Sequence, residues 1–375
     1  MSYEIINPIQ QFNFQINRVM TYGKAACNPE ELRRETASIR NLDDWHRIWA
    51  SLAAKAEAEN RLLHAAYYYR MLEFFMKESN PAKKEIYNKC IELFYRSFEY
   101  ELKISYEHVH VRFENGFLNC LKINAAESRG TVLVCGGYDS FIEEFVLQVT
   151  MIAQRGYNVI LFEGPGQGDC LRQKMYFRYD FERPAAAVID YFNIERCVFV
   201  GISWGGYFAL RCAAFDSRIT AAVAYDVMYD GFEVMTGIFP TVICKIIRYA
   251  FRQHAFRLID FITDRVREKS MIADWALSQG LYITGTNSTH EFYEKLSQHS
   301  LRGIEDKITQ DILLLAGEKD HYIPACQFHT LKNKLHNAKS LNCRLFTEAE
   351  GGEQHCQIGN HMLAVDMILD WLDSL

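Results

Sequence analysis

The sequence predicts an α/β fold in which helices cover both faces of a mostly parallel sheet, with a helical domain before the sheet and a helical insertion inside it. Three patterns indicate this. Apolar residues recur at helical spacing in the first hundred residues, short apolar runs alternate with helical stretches from residue 130 onward, and no strand pattern lies between Asp226 and Asp311. Alternation of strands and helices is typical of a parallel sheet that is buried on both faces.

The composition indicates a large folded core and argues against nucleic acid and membranes as partners. The chain has 375 residues, of which 49% are hydrophobic, which is enough for two domains or for one domain with insertions. Its net charge is −6 and it contains no Lys/Arg block. We therefore expect neither nucleic acid nor a membrane as a partner.

The first residues and the cysteines predict a cytoplasmic protein. The chain starts without the basic and apolar regions of a signal peptide, and it has no uncharged apolar stretch of about 18 residues that could span a membrane. The 11 cysteines include no CxxC pair and lie mostly in apolar runs. This pattern indicates reduced, buried thiols rather than disulfides or a zinc site.

Residues 1–102 are predicted to form a helical domain. Apolar residues at helical spacing over 45–53 and 63–74 indicate two or three antiparallel helices. Asn80-Pro81 is typical of an N-cap followed by proline at the first helical position, so a further helix should begin there. These helices carry no chemical motif of their own.

The sheet is predicted in two parts, 103–228 and 309–375, separated by a helical insertion at 229–308. Alternating residues on either side of Glu114-Asn115-Gly116 indicate a hairpin that adds antiparallel strands at one edge. The insertion follows one strand end and precedes another, so we expect it over the carboxyl ends of the strands, where ligands bind in open α/β sheets. The strands predicted after the hairpin read TVLVCG, NVILFEG, CVFVGIS, AAVAYD, DILLLAG and CRLFTEA.

One motif, Gly201-Ile202-Ser203-Trp204-Gly205, carries specific chemical information. It follows an apolar strand and precedes a helical run. A G-x-S-x-G nucleophile motif requires this context, because small residues must flank a serine that is held on a tight, strained turn. The helix that begins there directs its N-terminal amides towards negative charge. The pattern predicts Ser203 as a nucleophile.

A serine nucleophile needs a base and an acid, and the chain offers both after predicted strands. His355 follows the last strand and Asp320 follows the next-to-last strand. The resulting order of serine, acid and histidine is known from G-x-S-x-G hydrolases. His361 is a rival base, but it opens the final helix. Glu318 is the nearest alternative acid, and Asp226 at another strand end is the second.

Acyl transfer also needs amides that stabilise a developing oxyanion. We expect one from Trp204, and one from the loop after TVLVC, with the Gly137 amide preferred and the Tyr138 amide as the alternative. The loop FEGPGQGD at 162–169 lacks the Walker lysine and the GxGxxG spacing, so we interpret it as a structural loop at the rim of the site. No His, Cys or carboxylate spacing predicts a metal.

These residues resemble a known family. GISWGG, AGEKDHYIP and the His355 loop resemble the α/β-hydrolase superfamily over 103–375. CGGYDSFIEE, FEGPGQGD and GGEQHCQIGN, together with the helical N-terminal domain, resemble a subgroup with 2,6-dihydroxypseudooxynicotine hydrolase, fungal enzymes that shorten polyketides by C–C cleavage, and the fermentation-respiration switch protein. The chain is also similar to the catalytic domain of acylaminoacyl and prolyl oligopeptidases, although it has no β-propeller sequence.

The resemblance implies an α/β-hydrolase fold, a triad of Ser203, Asp320 and His355, a substrate pocket between the core and the helical domains, and no cofactor. Members of the C–C-cleaving group act on β-diketone-like substrates by a retro-Claisen route, sometimes with an extra acidic residue near the lid. Glu233 is a candidate for that role, and is equally explained as a solvated charge on the insertion. Asp226 is a second candidate for contact with the substrate.

The sequence therefore predicts a serine hydrolase that cleaves an ester or amide bond through an acyl-enzyme. An aromatic-rich, weakly charged insertion favours a largely apolar or aromatic acyl substrate, either a small molecule or a short peptide. The triad does not decide whether the leaving atom is oxygen, nitrogen or carbon, so C–C hydrolysis stays an alternative. A second alternative is a non-enzymatic partner-binding protein on the same scaffold. The N-terminal helices are compatible with a homodimer.

Overall fold

The computed structural model describes residues 2–375, and their contacts define two compact units. The first contains the chain up to Ser105 together with Asp264–Tyr282 and Ile358–Asn360; the second contains Tyr106–Thr263, Ile283–Gln357 and His361–Leu375. Part of the predicted insertion thus clusters with the N-terminal helices. The division into four segments stays a prediction about domain organisation.

The first unit is built on five helices that precede the sheet. They are α1 (Gln10–Thr21), α2 (Pro29–Thr36), α3 (Leu42–Ala58), α4 (Leu62–Phe74) and α5 (Lys83–Tyr100). Asn28 and Asn41 cap α2 and α3, because each side-chain oxygen accepts a backbone N–H of the first turn. Asn80-Pro81 does not cap α5 directly. The Asn80 Oδ1 atom accepts from Ala82 N at 3.0 Å, and the helix begins only at Lys83.

Aromatic rings and a buried ion cluster fill this unit. Trp45 and Phe75 are buried, with ring centroids 4.8 Å apart, and Trp275 from the insertion packs 4.7 Å from Phe75. Nearby, the Glu73 carboxylate lies 2.7 Å from the Arg70 guanidinium and 3.3 Å from the Lys83 ammonium, and all three side chains are buried. Charges buried at such a site must be paired, because each is costly alone.

The second unit contains one eight-stranded sheet in the order β1-β2-β4-β3-β5-β6-β7-β8. The β1–β2 hairpin is antiparallel and β2 pairs antiparallel with β4, whereas the pairs from β4 to β8 are parallel. The mostly parallel sheet with a hairpin at one edge is therefore confirmed, and all six strands predicted after the hairpin are present. The strands are β1 (Glu107–Phe113), β2 (Gly116–Ile123), β3 (Gly130–Cys135), β4 (Tyr157–Phe162), β5 (Cys197–Ile202), β6 (Ile219–Tyr225), β7 (Asp311–Gly317) and β8 (Ser340–Phe346).

Helices connect the strands and form the insertion. The connecting helices are α6 (Val146–Gln154), α7 (Gly168–Arg172), α8 (Glu182–Tyr191), α9 (Gly205–Phe215), α15 (Ala325–Lys332) and α16 (Met362–Asp373). The insertion holds α10 (Gly231–Gly237), α11 (Thr241–Arg252), α12 (Phe256–Lys269), α13 (Met271–Thr284) and α14 (Thr289–Ser297). Short 3-10 turns lie at Ile142–Phe145, Glu305–Lys307, Glu348–Glu350 and His355–Gln357.

The strand order decides which loops become neighbours. Strands β4, β3, β5, β6, β7 and β8 are adjacent and parallel, so their carboxyl ends meet along one edge of the sheet. The loops after these strands carry every residue that the sequence analysis assigned to the triad and the oxyanion site. The fold therefore brings together segments that lie far apart in the sequence.

Two global features bear on the earlier expectations. Within residues 2–375, no helix has the combined length and apolar character that a bilayer crossing demands. Across the same residues no disulfide forms, and eight of the eleven cysteines are buried.

Candidate active site

The turn that carries Ser203 connects β5 to α9 and is held in a strained conformation. Ser203 has a φ of 61°, in the left-handed region that non-glycine residues seldom adopt. Glycine is required at the positions around Ser203 because neighbouring backbone atoms leave no room for a side chain there. A Cβ atom on Gly201 would lie 1.8 Å from the carbonyl oxygen of Gly205, and one on Gly206 would lie 2.0 Å from the carbonyl oxygen of Asp226. This is the geometry expected of a nucleophile turn.

The imidazole of His355 joins the serine to a carboxylate. Its Nε2 atom lies 2.9 Å from the Ser203 hydroxyl oxygen, and its Nδ1 atom lies 2.6 Å from Oδ2 of Asp320. The other carboxylate oxygen of Asp320 accepts the backbone N–H groups of Tyr322 and Ile323, both at 2.8 Å, so Oδ2 remains for the imidazole. The structure thus brings the three predicted triad residues into one hydrogen-bonded chain.

The electrostatic setting of His355 is set by burial and by charge. Burial alone lowers the pKa of the imidazole, but the Asp320 charge and the hydrogen bonds that the ring donates to Asp320 and Asp226 outweigh it and hold the pKa well above its usual value. An imidazolium at this position is therefore stabilised by the carboxylates below it, as proton transfer from a serine requires.

The structure also separates the rival candidates. Glu318, the nearest alternative acid, is exposed and accepts the backbone N–H of Glu348 at 2.7 Å. His361, the rival base, occupies the N-cap position of α16. His355 is the histidine at the Ser203 hydroxyl, and Asp320 is the nearer carboxylate on its ring.

Asp226 and Glu233, the two residues suggested for substrate contact, lie in different surroundings. Asp226 is fully buried, and its Oδ2 atom lies 3.1 Å from Nδ1 of His355 and 2.6 Å from the backbone N of Cys356. Glu233 is part-exposed, and its Oε1 atom accepts from Arg302 at 2.8 Å. The first contacts the base, whereas the second forms an ion pair on the insertion, so contact with substrate stays a prediction for both.

The loop after β3 lies directly against the serine turn. A Cβ atom on Gly137 would lie 2.7 Å from the backbone N of Trp204 and 3.0 Å from Cβ of Ser203. Neither neighbour can yield easily, because one is main chain and the other is the strained serine. Only glycine fits, and the two segments predicted to donate to an oxyanion are in contact.

Gln167 fixes the orientation of this loop, and the sequence analysis did not identify it. Its Nε2 atom donates to the carbonyl oxygens of Gly136 and Gly137 at 2.8 and 2.7 Å, and its Oε1 atom accepts from Gly164 N at 2.8 Å. In a trans peptide the C=O and N–H bonds point in opposite directions. The amides of Gly137 and Tyr138 therefore both point away from Gln167.

The loop FEGPGQGD thus supports the backbone of the predicted oxyanion donors, and its place at the rim of the site stays a prediction. It also contains a buried acid, Glu163. Burial, together with the nearby Glu143, raises the pKa of Glu163 to about 8.

Aromatic rings surround Trp204 and connect the serine turn to the insertion. The indole lies 5.5 Å from the rings of Tyr138, Phe177 and His299, measured between centroids. Its Nε1 atom donates to Nδ1 of His299 at 3.1 Å, and burial lowers the pKa of His299 to about 3, so the neutral ring can accept. A Cβ atom on Gly231 would lie 2.6 Å from the indole.

One group of side chains among residues 2–375 has metal-ligand spacing. It consists of Asp226, His355 and Cys356, whose donor atoms lie within 4.8 Å of one another. The Asp226 and His355 atoms are already bonded to each other, to Cys356 N and to Ser203. A metal ion there would have to displace those bonds, so the donor set fits a proton-transfer site better than a metal centre.

Comparison with known proteins identifies the family. A family model described as the alpha/beta hydrolase fold matches residues 132–352, more than half of the chain. The chain belongs to the α/β-hydrolase fold family. This α/β hydrolase is 25% identical to the hydrolase acrC of Aspergillus aculeatus, over 98% of its own length and 97% of the relative. It is also 25% identical to the 20-hydroxy-prefusarin hydrolase of Gibberella moniliformis, over 97% and 96% of the two chains.

Solved structures extend the likeness of fold over nearly the whole α/β hydrolase. The crystal structure of 2,6-dihydroxy-pseudo-oxynicotine hydrolase matches with a TM-score of 0.71 and 17% identity, covering 95% of this chain and 94% of the other. Wild-type AbyA5 matches with a TM-score of 0.67 and 16% identity, covering 98% and 100%. The predicted resemblance to fungal hydrolases and to the first of these structures is confirmed, and hydrolase activity in general is supported.

Proposed function

We propose that this α/β hydrolase is a serine hydrolase that cleaves an ester or amide bond through an acyl-enzyme. The observation that carries the proposal is the position of His355, with Nε2 at 2.9 Å from the Ser203 hydroxyl and Nδ1 at 2.6 Å from Asp320. Both distances are within hydrogen-bond reach, as a nucleophile, a base and an orienting acid require.

In the proposed reaction the Ser203 oxygen attacks a substrate carbonyl while its proton passes to Nε2 of His355. The tetrahedral oxyanion accepts hydrogen bonds from the Trp204 amide and from the Gly137 or Tyr138 amide. His355 then gives the proton to the leaving atom as its bond to carbon breaks. A water molecule, deprotonated by the same Nε2, attacks the acyl-enzyme. His355 returns that proton to the Ser203 oxygen as its bond to the acyl carbon breaks and the acid is released. Each oxyanion donor contributes about 3 kcal/mol to the stability of the transition state.

The rings around the serine support an apolar or aromatic acyl group. Tyr138, Phe177 and Trp204 form one cluster beside Ser203. The His299 ring joins this cluster in a neutral state, so it adds no charge. A charged acyl group would lose its hydration against these surfaces without gaining a partner.

A fluorophosphonate probe, read by mass spectrometry, tests the proposal. It should label Ser203 in the wild type and leave Ser203→Ala unlabelled, and hydrolysis of p-nitrophenyl esters should disappear with the label. Ser297→Ala is the matched control, since its hydroxyl bonds only its own helix at Glu294 O. Labelling that survives in Ser203→Ala, or a wild type that neither labels nor turns over esters, would contradict the proposal. The second result would favour a partner-binding protein.

Hydrolysis of a C–C bond is a second candidate, favoured by similarity to the fungal hydrolases along nearly the full chain. It shares each step up to bond cleavage, after which a carbanion stabilised by a second carbonyl leaves in place of an alkoxide or amine. A comparison of kcat/KM for matched β-diketone and ester substrates with the same acyl group separates the two. A β-diketone preference of more than about tenfold would favour C–C cleavage.

A further inference from the structure

The end of β6 supplies a second carboxylate to the base. Strand β6 lies between β5 and β7, so Asp226, the next residue, emerges between the strand ends that lead to Ser203 and to Asp320. Asp226 is completely buried. Its Oδ2 atom lies 3.1 Å from Nδ1 of His355, the same nitrogen that lies 2.6 Å from Asp320. Two acids therefore face one imidazole nitrogen.

Asp226 also anchors the backbone that carries the base. Cys356 and Gln357 have φ values of 49° and 48°, so two consecutive non-glycine residues adopt the left-handed conformation. Asp226 accepts from the N–H of Cys356 at 2.6 Å and from the side chain of Gln357 at 3.3 Å. The Tyr225 hydroxyl donates to the carbonyl of Cys356 at 2.9 Å. Tyr225, which ends β6, and Asp226, which follows it, thus bind the carbonyl and the N–H of Cys356.

The other groups around His355 are uncharged, so Asp226 and Asp320 are its main charged neighbours. The ring of Tyr322 packs edge-on at 5.1 Å and carries no charge. Burial lowers the pKa of His321 to about 3, so this neighbour is neutral. Burial also raises the pKa of the Cys356 thiol, which keeps it protonated. His355 therefore lies in a buried site with two carboxylates on one side and Ser203 on the other.

We propose that Asp226 is a second acid of the catalytic apparatus, a positioning residue that shares the imidazolium of His355 with Asp320 and clamps the loop on which His355 lies. Only the kinetic test of this proposal rests on the proposed function. The titration of His355 does not depend on it. Its consequence is that neither carboxylate alone determines the basicity of His355. Base function is present above the pKa of His355 and is lost as the pH falls through it. Removal of one acid should therefore move that loss to lower pH.

The direct test is the titration of His355 in the full chain, followed by NMR with selectively 15N-labelled histidine and assigned with His355→Gln. Asp226→Asn keeps the shape of the side chain and one oxygen acceptor but removes the charge. We expect the pKa of His355 to fall by at least about one unit in this variant, because an opposite charge within contact distance raises it by about one to three units. The acid limb of kcat/KM for a p-nitrophenyl ester should move to lower pH by the same amount.

Asp230→Asn is the matched control, because Asp230 is another buried carboxylate of this unit and pairs with Arg302 instead. It should leave the His355 titration unchanged. An unchanged His355 pKa in folded Asp226→Asn overturns the proposal, even if kcat falls. If the wild type shows no serine labelling while the pKa shift is present, the proposed hydrolase function fails and this inference stands.

Asp320→Asn provides an independent measurement should Asp226→Asn not fold. Loss of a single triad acid lowers kcat by about 10⁴-fold in a hydrolase with one carboxylate. With Asp226 still facing Nδ1, we expect a loss at least tenfold smaller. A full 10⁴-fold loss in Asp320→Asn overturns the proposal.

Discussion

The most informative single change near the predicted oxyanion donors is Gln167→Glu, in the loop after β4 that bonds to Gly136 and Gly137. The substitution keeps the size of the side chain and the acceptor for Gly164 N, but it replaces Nε2 with an oxygen that faces two carbonyl oxygens at 2.8 and 2.7 Å. Two donated hydrogen bonds become contacts between acceptors. The peptides of Gly136 and Gly137 must then rotate or shift, and the amides of Gly137 and Tyr138 turn with them.

The size of the effect follows from those two bonds. Gln167 is 2% exposed, so each carbonyl that loses its donor is left buried at a cost of about 1–3 kcal/mol, or about 2–6 kcal/mol of unfolding free energy together. If the rotation removes one oxyanion donor, kcat should fall by roughly 10²–10³-fold. KM should change much less, since the substrate carbonyl binds weakly before it becomes an oxyanion.

Ester kinetics and denaturant unfolding, measured on the same preparations, test this prediction. Gln173→Glu is the matched control. Gln173, like Gln167, follows β4 and donates to a backbone carbonyl, that of Phe117 at 3.0 Å. Its side chain bonds Phe117 and Asp169 instead of Gly136 and Gly137. The control should lose some stability and keep its kcat. A Gln167→Glu enzyme with unchanged kcat, or a control that loses kcat equally, would refute the reasoning about loop orientation.

Two further predictions concern the serine turn and the first unit. Gly137→Ala should lower kcat by at least about 10²-fold while Ser203 remains present, because the new Cβ would press on Trp204 N; normal ester turnover would contradict this. Glu73→Gln should reduce the free energy of unfolding by about 3–5 kcal/mol, since two buried cations lose their counter-charge. The exposed Glu92→Gln, compared by the same denaturant titration, should change it by less than about 0.5 kcal/mol.

The central strands could be predicted because they are buried on both faces and therefore read as unbroken apolar runs. Leu133 and Leu314, for example, have exposures of 0%. Strand β8 forms one edge of the sheet and alternates between half-buried and exposed residues, so its first three residues, Ser340 to Asn342, were not predicted as strand. Apolar patterning identifies the middle of a sheet more completely than its edge.

Helix α1 shows why the N-terminal helices were only partly predicted. Its buried side includes amides, and the Asn13 side chain bonds the backbone of Ile6 and Glu4 while the Asn17 side chain bonds Glu4. Buried polar positions interrupt an apolar stripe, so periodicity does not reveal such a helix. The polar groups are satisfied by chain segments whose position only the fold defines.

The spacing of motifs along the chain predicted Ser203, Asp320 and His355, because each follows a strand in a recognisable order. The role of Gln167 and the contact of Asp226 with His355 could not be predicted without knowing the order of the strands in the sheet. An amide in a Gly-rich loop looks like an ordinary turn residue in one dimension. The strand-end position marks Asp226 as an alternative acid or a substrate contact, but not as a second carboxylate beside Asp320. Only the adjacency of β4 with β3, and of β6 with β5 and β7, gives each of them its partners.

The bond between Trp204 and His299 has a consequence for engineering. Trp204, the residue after Ser203, donates its indole N–H to His299 of the insertion, and Gly231 leaves no room for a side chain against the same ring. An insertion taken from a relative would therefore have to bring an acceptor and a glycine to these two places. A graft without them would leave the buried indole N–H of Trp204 without an acceptor, next to Ser203. Any redesign of the insertion therefore has to preserve the contacts of the Trp204 indole.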